Sequence, residues 1–293
     1  MDPMKRHEMF KSIIFHCSVG AIIVSVFHVI VRLIFNTPSF EKTQFAMDVN
    51  FMSMNKSKVG DTKFINTKLN ARNVLEIPIS SFVTDALIGY YEKYVEPFLK
   101  KGKYKGHIHG IKGHEFYCIS PLKWESDIQW ISVNHPSTYE YLVKYFNDMH
   151  LGEIFRTILD FDENIIVYSI FFVIRSRIPK HNWHIDFKNG THVNAFTFMT
   201  PLQRNSDIKL AYMDMDDRKQ RYKYKKDVGI VFGEHFIHST DIKISKYQKP
   251  EVIFCFTFGT DKMEYWSYIK QNVLIQGMHY MHPIYGFSNV RKT

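Results

Sequence analysis

Two residues, His184 and Asp186, have types and a spacing that suit metal binding. Alternate residues of an extended strand face the same side, so both side chains would reach one ion. A further histidine from a distant strand would complete a set of two imidazoles and one carboxylate, which leaves coordination positions open for reactants. His238, at the end of a second apolar segment, is the candidate third ligand. The sequence therefore predicts a metal centre built from these three residues.

A competing histidine, His235, lies three residues before His238. Residues three apart face opposite sides of an extended strand, so only one of the two can point inward. The Ser-Thr turn that follows His238, and its spacing from downstream lysines, favour His238. A His-x-Asp triplet arises easily by chance. The prediction therefore depends on the order of the strands around it.

A cation near the last apolar strand suggests a co-substrate. Lys249 directly precedes the strand predicted at residues 251–259, and strand parity places it on the same face as Cys255 and Thr257. A lysine or arginine there would neutralise the far carboxylate of a dicarboxylic co-substrate whose other end chelates the metal. An ordinary surface lysine at a strand entrance is the alternative.

The elements that must position these residues are short strands. Apolar, β-branched and aromatic segments predict strands at residues 165–177, 181–187, 193–202, 209–216, 228–233 and 251–259. No helical segment of crossover length separates them, which disfavours a doubly wound parallel sheet. The pattern predicts an antiparallel sandwich or barrel.

Helices are predicted on either side of these strands. Apolar spacing predicts an amphipathic helix over residues 82–99 and a closing helix over 263–276. Ser137 and Glu140 resemble a capping box, which predicts a helix that starts there. The glycine- and lysine-rich stretch at residues 98–116 lacks the spacing of a phosphate-binding loop, so we expect a solvated loop.

Residues 165–261 resemble the double-stranded β-helix core of the iron(II)- and 2-oxoglutarate-dependent dioxygenases. The segments RSRIPKHNWHIDF, GIVFGEHFIHST and KPEVIFCFTFGTD are similar in layout to aspartyl/asparaginyl β-hydroxylase-like and prolyl-hydroxylase-like members. The resemblance implies an α+β fold with a jelly-roll or cupin-like core and flanking N-terminal helices. It maps the family's metal ligands onto His184, Asp186 and His238, and its basic 2-oxoglutarate anchor onto Lys249.

The resemblance also implies cofactors and an activity. Tyr168 matches a tyrosine that often assists the anchor, Arg175 is an alternative anchor, and Thr257 is a candidate co-substrate contact. Iron(II), 2-oxoglutarate and dioxygen are the implied reactants. The implied activity is hydroxylation of a peptide side chain, a small molecule or a lipid. A non-catalytic cupin-like binding or scaffold protein at a membrane is the alternative.

The N-terminal part predicts a single transmembrane helix at residues 12–35. Its apolar stretch without formal charge has about the 20 residues needed to cross a bilayer. Lys5, Arg6 and Lys11 precede it, which favours a cytoplasmic N-terminus. A cleaved signal peptide would have a shorter apolar core and a clear small-x-small cleavage site. We therefore predict a tail at residues 1–11, the anchor, a linker at 36–74 and a catalytic domain at 75–293.

Composition excludes several other classes. Apolar residues are 45% and charged residues 23% of the chain, which is a globular balance. Three cysteines provide neither a disulfide framework nor a Cys-x-x-Cys pair. The net charge of +9 permits anionic partners such as headgroups. The predicted span disfavours chromosomal DNA, and no RNA-recognition motif is present, so nucleic acid is not an expected partner.

Overall fold

The structure is a computed structural model, and it describes residues 65–66, 69, 71–99, 106–109, 113–119, 128–156, 158–187, 190–203, 209–244 and 250–290. The predicted anchor at residues 12–35 and the candidate cation Lys249 lie outside these residues. Within the described part of the chain, no helix has both the length and the apolar character to cross a membrane.

The described elements alternate between strands and short helical insertions. In chain order they are β1 (Ile65–Asn66), β2 (Ala71–Arg72), β3 (Val74–Pro78), α1 (Ser81–Tyr94), α2 (Glu96–Leu99), β4 (Gly106–His109), β5 (Glu115–Ile119), β6 (Ile128–Val133), α3 (Pro136–Asp148), α4 (Leu151–Phe155), β7 (Ile166–Arg175), β8 (Ala195–Pro201), β9 (Lys209–Met213), β10 (Lys219–Lys223), β11 (Val228–Phe232), β12 (His238–Thr240), β13 (Glu251–Gly259), α5 (Met263–Gln276), β14 (His279–His282) and β15 (Gly286–Asn289).

Two antiparallel sheets form the core. The large sheet has the strand order β3-β11-β8-β13-β7-β6-β5-β4, and the small sheet has the order β10-β9-β12. Isolated bridges from His184 to His238 of β12 and from Ile178 to Lys243 beyond it add the segment after β7 to the small sheet. From β7 to β13 the chain therefore passes repeatedly between the two sheets, which is the winding of a double-stranded β-helix. The predicted antiparallel sandwich or barrel is confirmed.

Apolar side chains fill both faces of the large sheet. On β7, Phe171 and Val173 point between the sheets, where they pack with residues of β9, β10 and β11. Ile170, Phe172 and Ile174 point outward and pack under α1 and α3. A strand that is buried on both faces reads as a continuous apolar run rather than an alternating one. This explains the apolar sequence from residue 165 onward.

The start of α3 differs from its prediction. The helix begins at Pro136, and the Nδ1 atom of His135 accepts the backbone N–H of Ser137 at 3.3 Å. Proline suits the first helical position because its missing N–H has no helical partner there. Ser137 thus lies inside the helix, and the predicted capping box is wrong.

Two segments predicted as irregular contribute to the fold. The predicted solvated loop at residues 98–116 is wrong in part, because β4 lies within it and β5 overlaps its end. Both strands extend the large sheet beyond β6. Within the predicted linker, Leu69 and Ala71 are buried in the cluster between the sheets. The packed part of the chain thus begins before Val74.

The predicted closing helix is confirmed as α5, which buries Trp266 and Val273.

Candidate metal centre

The segment that carries His184 and Asp186 is not a regular strand. Between β7 and β8 it makes isolated bridges to residues in and after β12. The backbone N–H of His184 donates to the carbonyl of His238, and the N–H of His238 donates back to His184, both at 3.0 Å. This reciprocal pair places the two imidazoles on adjacent chains.

The three predicted ligands lie close together. The Nε2 atom of His184 is 3.6 Å from Oδ1 of Asp186, and the Nε2 atom of His238 is 3.9 Å from the same oxygen. One possible ligand atom from each residue lies within 4.8 Å of the others. The structure therefore brings together the three residues that the spacing and strand order single out.

Backbone carbonyls orient both imidazoles. Nδ1 of His184 is 2.8 Å from the carbonyl oxygen of Asn182, and Nδ1 of His238 is 3.1 Å from that of Phe236. A carbonyl only accepts, so each Nδ1 carries the proton and each Nε2 presents its lone pair to the centre. This hydrogen-bonding pattern is typical of histidines that bind a metal.

The carboxylate is fixed by a residue that the sequence analysis missed. Thr197 of β8 donates its hydroxyl to Oδ2 of Asp186 at 2.7 Å, which leaves Oδ1 facing the imidazoles. Thr197 stands between Phe196 and Phe198, and its side chain is fully buried. A hydroxyl among buried phenylalanines needs a polar partner, and that was the available signal in the sequence.

Burial sets the charge state of His238, which is 2% exposed. Its pKa is lowered to about 4, chiefly by loss of solvation and also by the neighbouring His184, while Asp186 opposes the shift. His238 is therefore neutral at physiological pH. Neutral imidazole is the form that binds a metal ion.

His235, the competing histidine, lies outside this cluster. Its backbone has a φ of 66°, in the left-handed region, as part of a turn before β12. Its Nε2 is 3.0 Å from the carboxylate of Glu234. His235 thus faces a different partner, and the structure favours His238 as the third member of the cluster.

Arg175 is a buried cation between the sheets. It ends β7 on the face of Phe171 and Val173, and it is 4% exposed. Its Nε and Nη1 atoms have no hydrogen-bond partner in the described part of the chain. Glu251, its register partner on β13, is bound by Lys243 at 2.6 Å. A buried cation with two nitrogens that lack partners is costly, so this position favours an anionic ligand.

The other candidate contacts have partners within the protein. The hydroxyl of Tyr168 donates to the carbonyl of Thr260, and the hydroxyl of Thr257 donates to Oε1 of Gln276 on α5 at 2.8 Å. Each of these two hydroxyl groups therefore already donates its proton in a hydrogen bond within the protein. Lys249 lies outside the described residues. The roles of these three residues in binding a co-substrate stay predictions.

Comparisons with known proteins give remote structural likenesses. No family model matches the chain, and no curated protein sequence matches it. A Pseudomonas putida prolyl-4-hydroxylase is similar at a TM-score of 0.42 and 8% identity, over 64% of this chain and 92% of that one. HygX from Streptomyces hygroscopicus, with nickel and 2-oxoglutarate bound, gives 0.43 and 8%, over 67% and 88%. EctD from S. alaskensis in its apoform gives 0.47 and 11%, over 69% and 79%. The fold assignment rests on the strand order and register.

Proposed function

We propose that this protein is an iron(II)- and 2-oxoglutarate-dependent oxygenase that hydroxylates a peptide side chain, a small molecule or a lipid. The observation that carries the proposal is the convergence of His184, Asp186 and His238 at one point. Two guanidinium nitrogens of Arg175, Nε and Nη1, have no hydrogen-bond partner in the described part of the barrel, which supports a dicarboxylic co-substrate.

The donor set fits iron(II). Two neutral imidazoles and one carboxylate, with the remaining positions open, are the ligands of non-haem iron oxygenases. A zinc hydrolase would instead need a carboxylate free to act as general base. Glu234, the candidate for that role, accepts hydrogen bonds from Gly190 at 3.0 Å and Thr191 at 3.4 Å. Its carboxylate is thus engaged away from the cluster.

Each residue has a distinct role in the proposed reaction. His184, Asp186 and His238 would hold the iron, and when bound the iron supplies the chemistry that couples 2-oxoglutarate decarboxylation to substrate oxidation. Arg175 would bind the distal carboxylate of 2-oxoglutarate through its planar pair of donors. Phe232 and Phe236 pack on the ring of His238, with centroids 4.6 and 5.3 Å away. They keep water from that side of the centre.

A turnover assay tests the proposal directly. The full chain is incubated with iron(II), 2-oxoglutarate and dioxygen, and succinate release and iron binding are measured. We expect His184→Ala to lose both activities. His235→Asn, which tolerates the left-handed backbone, should keep both. If the parent protein neither binds iron nor releases succinate, the non-catalytic scaffold function replaces the oxygenase.

A second pair of variants identifies the co-substrate anchor. Loss of a hydrogen-bonded charge from a buried site weakens binding by about tenfold to a hundredfold. We therefore expect Arg175→Met to raise the KM for 2-oxoglutarate by that factor. Lys249→Met should change it little. The reverse result would assign the anchor to Lys249, as the family resemblance implies.

We further propose that residues 12–35 anchor the protein in a membrane as a single span with a cytoplasmic N-terminus. The support is the uncharged apolar stretch and the three basic residues before it. Aspartates at the centre of a span oppose insertion. The double variant Ile22→Asp, Ile23→Asp should therefore move the protein from the alkaline-washed membrane pellet to the supernatant. An unchanged distribution would contradict the anchor.

A further inference from the structure

A cleft lies between α5 and the β14–β15 hairpin, apart from the metal cluster. Its volume is about 780 Å³, within the range of small-molecule sites. Trp266, Lys270 and Leu274 of α5 line one wall at four-residue intervals, which places them on one face of the helix. Neither the three metal-cluster residues nor Arg175 is among its lining residues.

His282 presents a fixed hydrogen-bond donor in this cleft. Its Nδ1 accepts the backbone N–H groups of Ile284 at 3.0 Å and Tyr285 at 3.2 Å, so the proton must be on Nε2. Burial lowers its pKa, which keeps the ring neutral. His282 is 5% exposed and lines the cleft, and its hydrogen bonds to described residues are made at Nδ1. The Nε2 donor is therefore available to a ligand in the cleft.

The charge of the lining favours an anion. Lys270 is exposed on α5, and no described residue that lines the cleft carries a carboxylate. The neighbouring His279 does not supply a negative partner, because Asn134 at 2.8 Å and Asn289 at 3.0 Å engage its two nitrogens. An ammonium near a neutral N–H donor suits a ligand carboxylate.

Aromatic rings form the apolar part of the cleft. Trp266 stacks on Tyr280 with centroids 5.7 Å apart, and the exposed ring of Tyr285 also lines the cleft. Flat apolar ligands pack favourably against such rings. The polar and aromatic parts of the cleft together favour a ligand that consists of a ring with one acidic group.

We propose that this cleft is a binding site for a small ring compound with a carboxylate group. The ring packs on Trp266 and Tyr285, and the carboxylate accepts from Nε2 of His282 and from the ammonium of Lys270. The site is independent of the proposed oxygenase function, because it shares no residue with the metal cluster.

Fluorine NMR of the full chain in detergent tests this site with a defined probe. We expect saturable binding of 4-fluorobenzoate, about tenfold tighter than that of the neutral isostere 4-fluorobenzamide, because the amide lacks the charge. Saturating 2-oxoglutarate should not displace the probe. No saturable binding, equal binding of the amide, or displacement by 2-oxoglutarate would overturn the proposal.

Matched variants locate the bound probe. His282→Asn keeps an acceptor near the Nδ1 position but removes the Nε2 donor. Lys270→Gln removes the charge from an exposed helix position, where folding is little affected. Each should weaken 4-fluorobenzoate binding by about fivefold to tenfold. Lys93→Gln, an exposed helical lysine over the ring of Tyr94, is the control and should leave binding unchanged. Equal binding by all three variants would place the probe elsewhere and overturn the proposal.

Discussion

The two sheets of the barrel are built differently. In the large sheet, β7 and β13 are ten and nine residues long, and nine register pairs join them. In the small sheet, β12 has three residues, and the segment with His184 and Asp186 makes isolated bridges only. The large sheet is a continuous ladder, whereas the ligand-bearing side of the small sheet depends on single contacts.

Because of this difference, we expect the large sheet to determine the stability of the fold and the local contacts of the small sheet to determine the geometry of the metal cluster. Arg175 and Thr197 belong to long strands of the large sheet, whose register fixes them. His184 and His238 depend on reciprocal backbone bonds with each other and on local carbonyls. Changes to the large sheet should therefore lower global stability, while changes to the contacts around the ligands should lower metal affinity first.

The largest expected effect is in the core of the large sheet. Phe254 is fully buried on β13 and contacts the rings of Phe172 and Phe256. Phe254→Ala should lower the free energy of unfolding by about 3–5 kcal/mol through lost burial and a cavity. Denaturant titration measures this loss. Phe82→Ala is the control, because Phe82 is 81% exposed; similar losses for both would contradict the comparison.

The next effect is the pH dependence that His238 gives to the metal-free protein. Its pKa falls from 6.5 to about 4 on folding, so the unfolded chain binds more protons between these pH values. The free energy of unfolding should therefore be highest above pH 6.5. It should fall by about 3 kcal/mol as the pH drops to 4. Denaturant titrations across this window measure it. His238→Gln should flatten the profile, and parallel profiles would contradict this origin.

A smaller effect is expected from the threonine that orients the carboxylate. Thr197→Val removes the donor to Asp186, so metal affinity should fall about tenfold, as for other residues that support a metal ligand. Cobalt(II) titration followed by absorption measures the affinity. Thr200→Val on the same strand, which removes a 3.3 Å bond to the carbonyl of Val228, is the control and should leave metal affinity unchanged. Equal losses would show a general effect of β8.

The smallest effect concerns a contact one step further from the metal. Oδ2 of Asp241 is 3.1 Å from Nε of Arg221 on β10, and Oδ1 lies 3.8 Å from Nε2 of His181 without a hydrogen bond, so Asp241 contacts both the small sheet and the ligand-bearing segment. Asp241→Asn should lower cobalt(II) affinity by about threefold, less than loss of a direct partner of a ligand. Glu76→Gln is the control: its carboxylate is similarly buried and is paired with Lys225 at 3.0 Å. If both variants bind cobalt(II) equally, the link does not orient the ligands.

Regular elements were predictable from the sequence. The apolar run at residues 165–177 gives β7, and the segment at 263–276 gives α5 with the same bounds. The predicted strand at 181–187 is an irregular segment with a single bridge within that range, at His184. Strand parity still placed His184 and Asp186 together, because Ile185 and Phe187 are buried in alternation with them.

Features that depend on distant register were not predictable. The lack of partners for Nε and Nη1 of Arg175 depends on Lys243 binding Glu251, the register partner of Arg175 on the adjacent strand. The strands β4 and β5 form in a lysine- and glycine-rich sequence because β6 offers an open edge. The helix start could not be predicted either, because the cap is His135, the residue before Pro136, and not the expected capping box. The cleft at α5 depends on a hairpin that local patterning did not indicate.

The outer strand of the small sheet has a consequence for solubility. β10 reads Lys-Gln-Arg-Tyr-Lys, with both lysines and the arginine exposed and the tyrosine buried. An open strand edge is a template on which a second molecule can add its own strand, and repeated charges of one sign oppose that addition. This strand should therefore resist aggregation at high protein concentration. Neutralising its cations would expose the barrel to fibril-like self-association.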